Sequence, residues 1–197
     1  MYKIILASKS PRRQQLLAGL DLDFTVKVLE GLSETYPSDI PKKEVAQYLA
    51  VEKAKSYRQI IKEDELVITA DTTVVVDNDV LGKPVDSKEA KQMLRKISGR
   101  THEVVTGVCF TTQIRQHSFS VSTDVSFKEL SENEINYYVN KYHPYDKAGA
   151  YGIQEWIGHI GVTRIEGSYF NVMGLPVQRM WDELHVFCPD VCLKIRL

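Results

Sequence analysis

Asp71 stands in the run Ile68-Thr69-Ala70-Asp71-Thr72-Thr73-Val74, a carboxylate among β-branched and small residues. Such a run reads as strand, and an acidic side chain there either ends the strand or is held at a cleft. Burying an unpaired carboxylate is expensive, so the group takes a cation, a metal or hydrogen-bond donors. Held that way, an Asp can bind a metal or accept a proton from water. The competing reading is a strand-end Asp bonded to neighbouring Thr hydroxyls.

A second candidate is Ser8-Lys9-Ser10-Pro11-Arg12-Arg13, directly after the short apolar strand Lys3 to Ala7. Ser10 is an N-cap and Pro11 occupies the first helical position. Helix N-termini expose unpaired N–H groups and a partial positive charge, so they bind phosphate. Arginines in a first turn oppose the helix dipole at ~0.3–1 kcal/mol each. Arg12 and Arg13 therefore suit a polyphosphate, unless both are simply solvated.

Lys83 lies in Gly82-Lys83-Pro84, after a hairpin turn expected at Asp77-Asn78-Asp79. Flanking Gly and Pro fix the chain, so the lysine is either a point charge for phosphate or an exposed loop residue. In Asp146-Lys147-Ala148-Gly149-Ala150-Tyr151-Gly152-Ile153-Gln154, small residues permit close backbone approach to a ligand or another strand. Gln154 carries both donor and acceptor, which suits reading a base edge; a plain packed turn explains the glycines equally well.

These residues need a scaffold. Leu16, Leu17 and Leu20 face one side of the helix begun at Ser10, and Leu22 to Val28 alternates as a half-buried strand. A longer helix is expected over Lys42 to Ile61, with Val45, Leu49 and Lys53 in one row. On pattern alone, Lys53 snorkels, its stem packed and its ammonium in water. Leu66 to Val76 is strongly apolar but interrupted by Thr-Ala-Asp-Thr-Thr. Asp86 with Glu89 and Ser131 with Glu134 read as capping boxes of two further helices. Glu103 to Thr112, Phe119 to Phe127 and Ile160 to Ile165 are strand-like, and Val177 to Leu184 is helical. Strands interspersed with helices, some strands adjacent in sequence, imply an α/β protein with a mixed sheet.

The chain has 197 residues, 43% hydrophobic and 26% charged, with a formal net charge of -1. That suits residues 1–197 as one domain, or two closely joined lobes without a linker. Near-neutral charge gives no support for a general nucleic-acid or membrane binder, so an anion site must be local. Cys109, Cys188 and Cys192 form no disulfide framework and no complete zinc set. Met1 to Ala7 is too short an apolar run for a signal peptide or a membrane span, and the expected compartment is the cytoplasm. No P-loop, dinucleotide fingerprint, nucleophile elbow or H-E-x-x-H zinc motif occurs. His102 and His143 read as structural or surface residues.

Taken together, the segments resemble the Maf family of nucleotide pyrophosphatases, once described as septum-formation inhibitors. The matches are Leu6 through Arg13, Glu34, Glu52-Lys53-Ala54, Ala70-Asp71-Thr72, Gly82-Lys83-Pro84 and Ser98-Gly99-Arg100-Thr101-His102. They continue through Asp146 to Gln154, Gly167-Ser168-Tyr169 and Gly174-Leu175-Pro176, in the family's order. Each motif alone is weak; the ordered set is specific, and the chain departs from the family mainly from His185 onward.

The resemblance implies an elongated mixed sheet with helices on its faces and a cleft between two lobes, similar to the inosine-triphosphate pyrophosphatases. It implies that Ser8, Ser10, Arg13, Lys53 and Lys83 hold the triphosphate, which makes Lys53 a cleft residue, against the snorkelling expectation. Asp71 resembles the family's proton acceptor, and Glu34 a carboxylate near a divalent metal, magnesium or manganese. Arg12, Thr72 and Gln154 match the branch acting on dTTP and UTP. The 7-methylguanosine triphosphate branch typically has an aromatic residue, a Gln and a Glu there.

The implied reaction is hydrolysis between the α and β phosphates, extending to modified pyrimidine nucleotides, by a protein that is often a homodimer. The alternative is a nucleotide-sensing regulator linked to cell division, with slow or incidental hydrolysis. That reading needs the anion pocket but not the carboxylates Asp71 and Glu34. A nucleic-acid binder ranks last.

Overall fold

Lys3–Leu6 forms β1, buried beyond its first residue. The computed structural model, which describes residues 2–32 and 34–192, pairs β1 in parallel with β2 (Phe24–Val26) and with β3 (Glu65–Val76). Parallel neighbours need crossovers. Helix α1 (Pro11–Ala18) links β1 to β2, and a single 3₁₀ turn, Lys42–Glu44, opens into α2 (Val45–Arg58), which leads to β3. The helix expected over Lys42 to Ile61 is thus shorter at both ends.

β3 runs without a break through Thr69 to Thr73. These residues are mostly β-branched and fit the pleated ladder, so Asp71 sits within the strand and the reading in which it ends the strand does not hold. After a tight turn at Asp77-Asn78, β4 (Asp79–Leu81) returns antiparallel with Val76 opposite Asp79. Asp77 takes the left-handed conformation that such a turn requires, at φ 53°.

Next come α3 (Ser87–Ile97), β5 (Thr101–Thr111), β6 (Gln116–Phe127), α4 (Glu132–Tyr142), α5 (Trp156–Gly161) and β7 (Val162–Glu166). Helices α6 (Tyr169–Met173), α7 (Val177–Phe187) and α8 (Pro189–Cys192) follow. The seven-stranded mixed sheet has the order β2-β1-β3-β5-β6-β7, with β4 on β3. The capping box at Ser131 and Glu134 is complete. At α3 the Asp86 carboxylate caps Glu89 N–H, but Glu89 reaches back to the Val85 N–H instead of to Asp86.

The chain divides into two units. The first contains Met1–Asp71, Thr106–Val121 and Gly174–Leu197, and the second Thr72–Val105 and Ser122–Met173. In the first, Ile5, Tyr57, Ile61 and Val67 form a buried cluster, with Ala7, Leu29 and Leu32 packed on it. Helix α2 presses on β5 at Gly107, where a Cβ would lie 2.4 Å from the Ala46 backbone; only glycine admits that approach. Cys109 and Cys188 are free thiols in buried positions, and burial pushes both thiol pKa values up. In the second unit, the rings of His102, Phe127 and Tyr151 pack against one another, Tyr151 edge-to-face on both others, and α3 packs against α4. Residues 193–197 of the divergent tail lie outside the described residues.

Candidate active site

The strand-to-helix turn after β1 is built by its serines. Ser8 is buried, and its hydroxyl accepts the Ser10 N–H at 3.2 Å. Ser10 caps α1, accepting the Arg13 N–H at 3.4 Å, with Pro11 in the first turn. Gln14 donates from its side-chain amide to the Ser8 carbonyl oxygen at 3.2 Å. No acidic residue stands in the first turn of α1, so the local field there is positive.

Arg13 reaches away from the turn. Its Nε donates to Gly174 O at 2.7 Å and its Nη1 to Ala70 O at 2.9 Å. One side chain thereby ties α1 to β3, beside Asp71, and to the turn before α7. Burial lowers the Arg13 pKa, the Asp71 charge raises it, Arg12 lowers it and Glu34 raises it.

Lys53 lies in the α2 row Val45, Leu49, Lys53 and Tyr57. Its side chain is 13% exposed, and its ammonium bonds the Asp71 carboxylate closely and Glu34 Oε1 at 3.0 Å. The snorkelling expectation is therefore corrected. Helical spacing shows which side of α2 the lysine is on; it cannot show that a strand carboxylate and a loop carboxylate meet it there. Asp71 itself is 8% exposed, and the competing arrangement, an Asp served only by Thr hydroxyls at a strand end, does not hold.

The loop bearing Glu34 is fastened by a residue the motifs did not single out. Tyr57, one helical step beyond Lys53, donates its hydroxyl to Lys27 O and accepts the Leu29 N–H, both at 2.9 Å. Leu29 and Leu32 pack on the cluster that contains Tyr57. Its position in an apolar helix row was legible, but its hydroxyl partners were not.

A single ammonium touching both carboxylates shows that Asp71 and Glu34 converge on one cation-sized position. Hard carboxylate oxygens suit magnesium or manganese. Among the described residues no group of three or more His, Cys, Asp or Glu gathers to hold a metal. Two carboxylates alone would leave most ligand positions of such an ion to phosphate oxygens and water, as magnesium commonly takes.

In the second unit, Thr72 is half-buried, while Lys83 and Gln154 are exposed. The loops of the latter two are joined by the Gly149 N–H, which donates to Gly82 O at 3.0 Å. Gly149 is left-handed at φ 67°, and a Cβ there would lie 2.9 Å from Val74 Cγ2. The first unit therefore gathers Ser8, Ser10, Arg13, Glu34, Lys53 and Asp71, and the second carries Thr72, Lys83 and Gln154.

A family model described as Maf-like protein matches residues 3–187. The chain belongs to the Maf family. Among relatives of this Maf protein, one from Phocaeicola vulgatus is 59% identical over 183 residues, 93% of this chain and 95% of its own length. One from Bacteroides thetaiotaomicron is 54% identical, again covering 93% and 95%. A third, from Parabacteroides distasonis, is 53% identical, covering 94% and 96%. All three carry the name dTTP/UTP pyrophosphatase. The Maf chain also resembles the solved Staphylococcus aureus Ham1 protein, at TM-score 0.52 and 14% identity, covering 92% of this chain and 99% of that one. At that identity the likeness concerns the fold.

Proposed function

We propose that the chain hydrolyses dTTP and UTP, releasing the nucleoside monophosphate and pyrophosphate. The observation that carries this reading is the contact of Lys53 with both Asp71 and Glu34, beside the capped turn from Ser8 to Arg13. The pyrimidine substrates are supported by the names of relatives that share half or more of their residues with it.

In this mechanism Ser8, Ser10 and the N-terminal N–H groups of α1 receive phosphate oxygens. Asp71 accepts a proton from the attacking water, and Lys53 orients that carboxylate. Arg13, Lys53 and Lys83 stabilise the charge on the departing pyrophosphate. Asp71 and Glu34 would hold magnesium or manganese, which supplies Lewis-acid polarisation of the phosphate oxygens. Arg12, Thr72 and Gln154 select the base.

The test is pyrophosphate release by the purified protein with magnesium or manganese, across common and modified nucleoside triphosphates. Turnover favouring dTTP and UTP and lost in Asp71→Asn supports the reaction. Tight nucleotide binding with no turnover would favour the regulatory sensor instead; two carboxylates gathered on one lysine favour the enzyme.

A further inference from the structure

Tyr138, Lys147 and Glu155 have no part in the chemistry above, yet all three turn polar groups toward one short segment. Lys147 is 7% exposed, and its ammonium meets Asp146 Oδ1 at 2.7 Å and Glu155 Oε1 at 3.0 Å. The fully buried Tyr138 donates its hydroxyl to Glu155 Oε2 in a short hydrogen bond. The Tyr138 hydroxyl oxygen in turn accepts the Gly152 N–H at 3.0 Å. Burial and the neighbouring carboxylate raise the phenol's pKa, so it remains a donor.

The backbone closes on itself as well, with Glu155 N–H donating to Gly152 O at 3.0 Å. A Cβ on Gly152 would stand 2.8 Å from Glu155 Cδ, so the glutamate side chain lies directly on this glycine. On the other side, Gly158 of α5 abuts Ile153, where a Cβ would sit 2.1 Å from the carbonyl oxygen. Tyr151, Gly152 and Ile153 are buried, and Gln154 faces solvent. A turn closed by its own backbone bond does not require a buried ammonium and phenol, whose desolvation is costly. Their convergence here points to a need for one fixed geometry.

We propose that Glu155, clamped by Tyr138 and Lys147, is a positioning residue that presents the Gln154 amide in one orientation and so sets the preference for pyrimidine over purine triphosphates. The inference rests on the reading of Gln154 as a base-contacting residue. A primary amide can swap donor and acceptor by rotation, and it discriminates strongly only when its supporting shell holds it.

Tyr138→Phe keeps the ring in the core and removes both hydroxyl bonds; Glu155→Gln keeps the shape and removes the charge facing Lys147. Steady-state kinetics with UTP, dTTP, GTP and dATP, and Kd values for non-hydrolysable UTP and GTP analogues, read selectivity. Hydrogen exchange of the ligand-free protein reads the order of residues 151–155. In both variants, the pyrimidine-to-purine ratio of kcat/KM should fall about tenfold or more, mainly through KM, with kcat within about threefold. Exchange should quicken across 151–155.

A lowered Tm with the ratio and local exchange unchanged would mean a purely structural network, and overturns the proposal. A wild type that is active and selective, with a Tyr138→Phe variant equally selective, overturns this inference alone. A wild type that neither turns over nor binds any triphosphate overturns the proposed function, and this inference with it.

Discussion

Lys53 and Asp71 meet as ammonium and carboxylate although one comes from the third turn of α2 and the other from the middle of β3. The lysine also holds Glu34 at 3.0 Å, so removing any of the three leaves a partner exposed to an altered field. Asp71→Asn should keep the fold and lose at least ~10² in kcat, the usual scale for a positioned proton acceptor. Lys53→Met should lose ~10²–10³ in kcat/KM through weaker charge stabilisation. Circular dichroism and pyrophosphate release measured together check both. Near-normal turnover in a folded Asp71→Asn protein would remove its assigned role.

Arg13 spends two donors on Gly174 O and Ala70 O. A lysine carries one flexible ammonium and cannot reproduce that fork. Arg13→Lys should therefore cost about 1–3 kcal/mol, the scale of a buried acceptor left unmet. A urea melt with an unchanged m-value would show it. Activity assayed well below the melting point should still fall, since the backbone at Ala70 adjoins Asp71.

Gly149→Ala places a methyl group where φ is 67° and Val74 Cγ2 is 2.9 Å away. Strain of that kind costs on the order of 1–3 kcal/mol, and relief would disturb the Gly149 to Gly82 hydrogen bond. The expected outcome is a lower Tm and a higher KM for UTP, because the loop carrying Lys83 loses its tie. A KM equal to wild type would separate the two loops functionally.

His102 is 2% exposed and Nδ1 has no hydrogen-bond partner among the described residues, while Nε2 lies 2.8 Å from the Tyr151 hydroxyl. Burial pushes its pKa down to about 4 from an ordinary value of 6.5. Between those values the unfolded chain binds a proton that the native state excludes. Stability from this group should therefore be full above pH ~6.5 and decline by roughly 3 kcal/mol as the pH falls to ~4. Urea melts of wild type and His102→Gln across that range test it: the wild type should show the steeper loss on acidification.

Much of the scaffold was legible because it rests on local chemistry. Ser10 with Pro11, Asp86 before α3, and Ser131 with Glu134 mark helix starts through backbone bonds within a few residues. Asp77-Asn78 marks the hairpin for the same reason. The short helices α5 and α6 were missed, since five or six residues carry too little periodicity to read. Sequence alone leaves open whether Asp71 ends β3 or sits within it, because a carboxylate in a β-branched run fits either role until its partner is known.

The sequence by itself determined the longer helices and strands, the capped turn at Ser8 to Arg13 and the Maf family motifs, all properties of neighbouring residues. Only the tertiary structure decided what Lys53 does, that Tyr57 fastens the Glu34 loop, and that Arg13 binds backbone at both Ala70 and Gly174. Those contacts join residues far apart in the chain, and a buried charge has its meaning from whatever lies across from it. Helical spacing could point Lys53 toward the core, but the carboxylates that keep it there came from a strand and a loop.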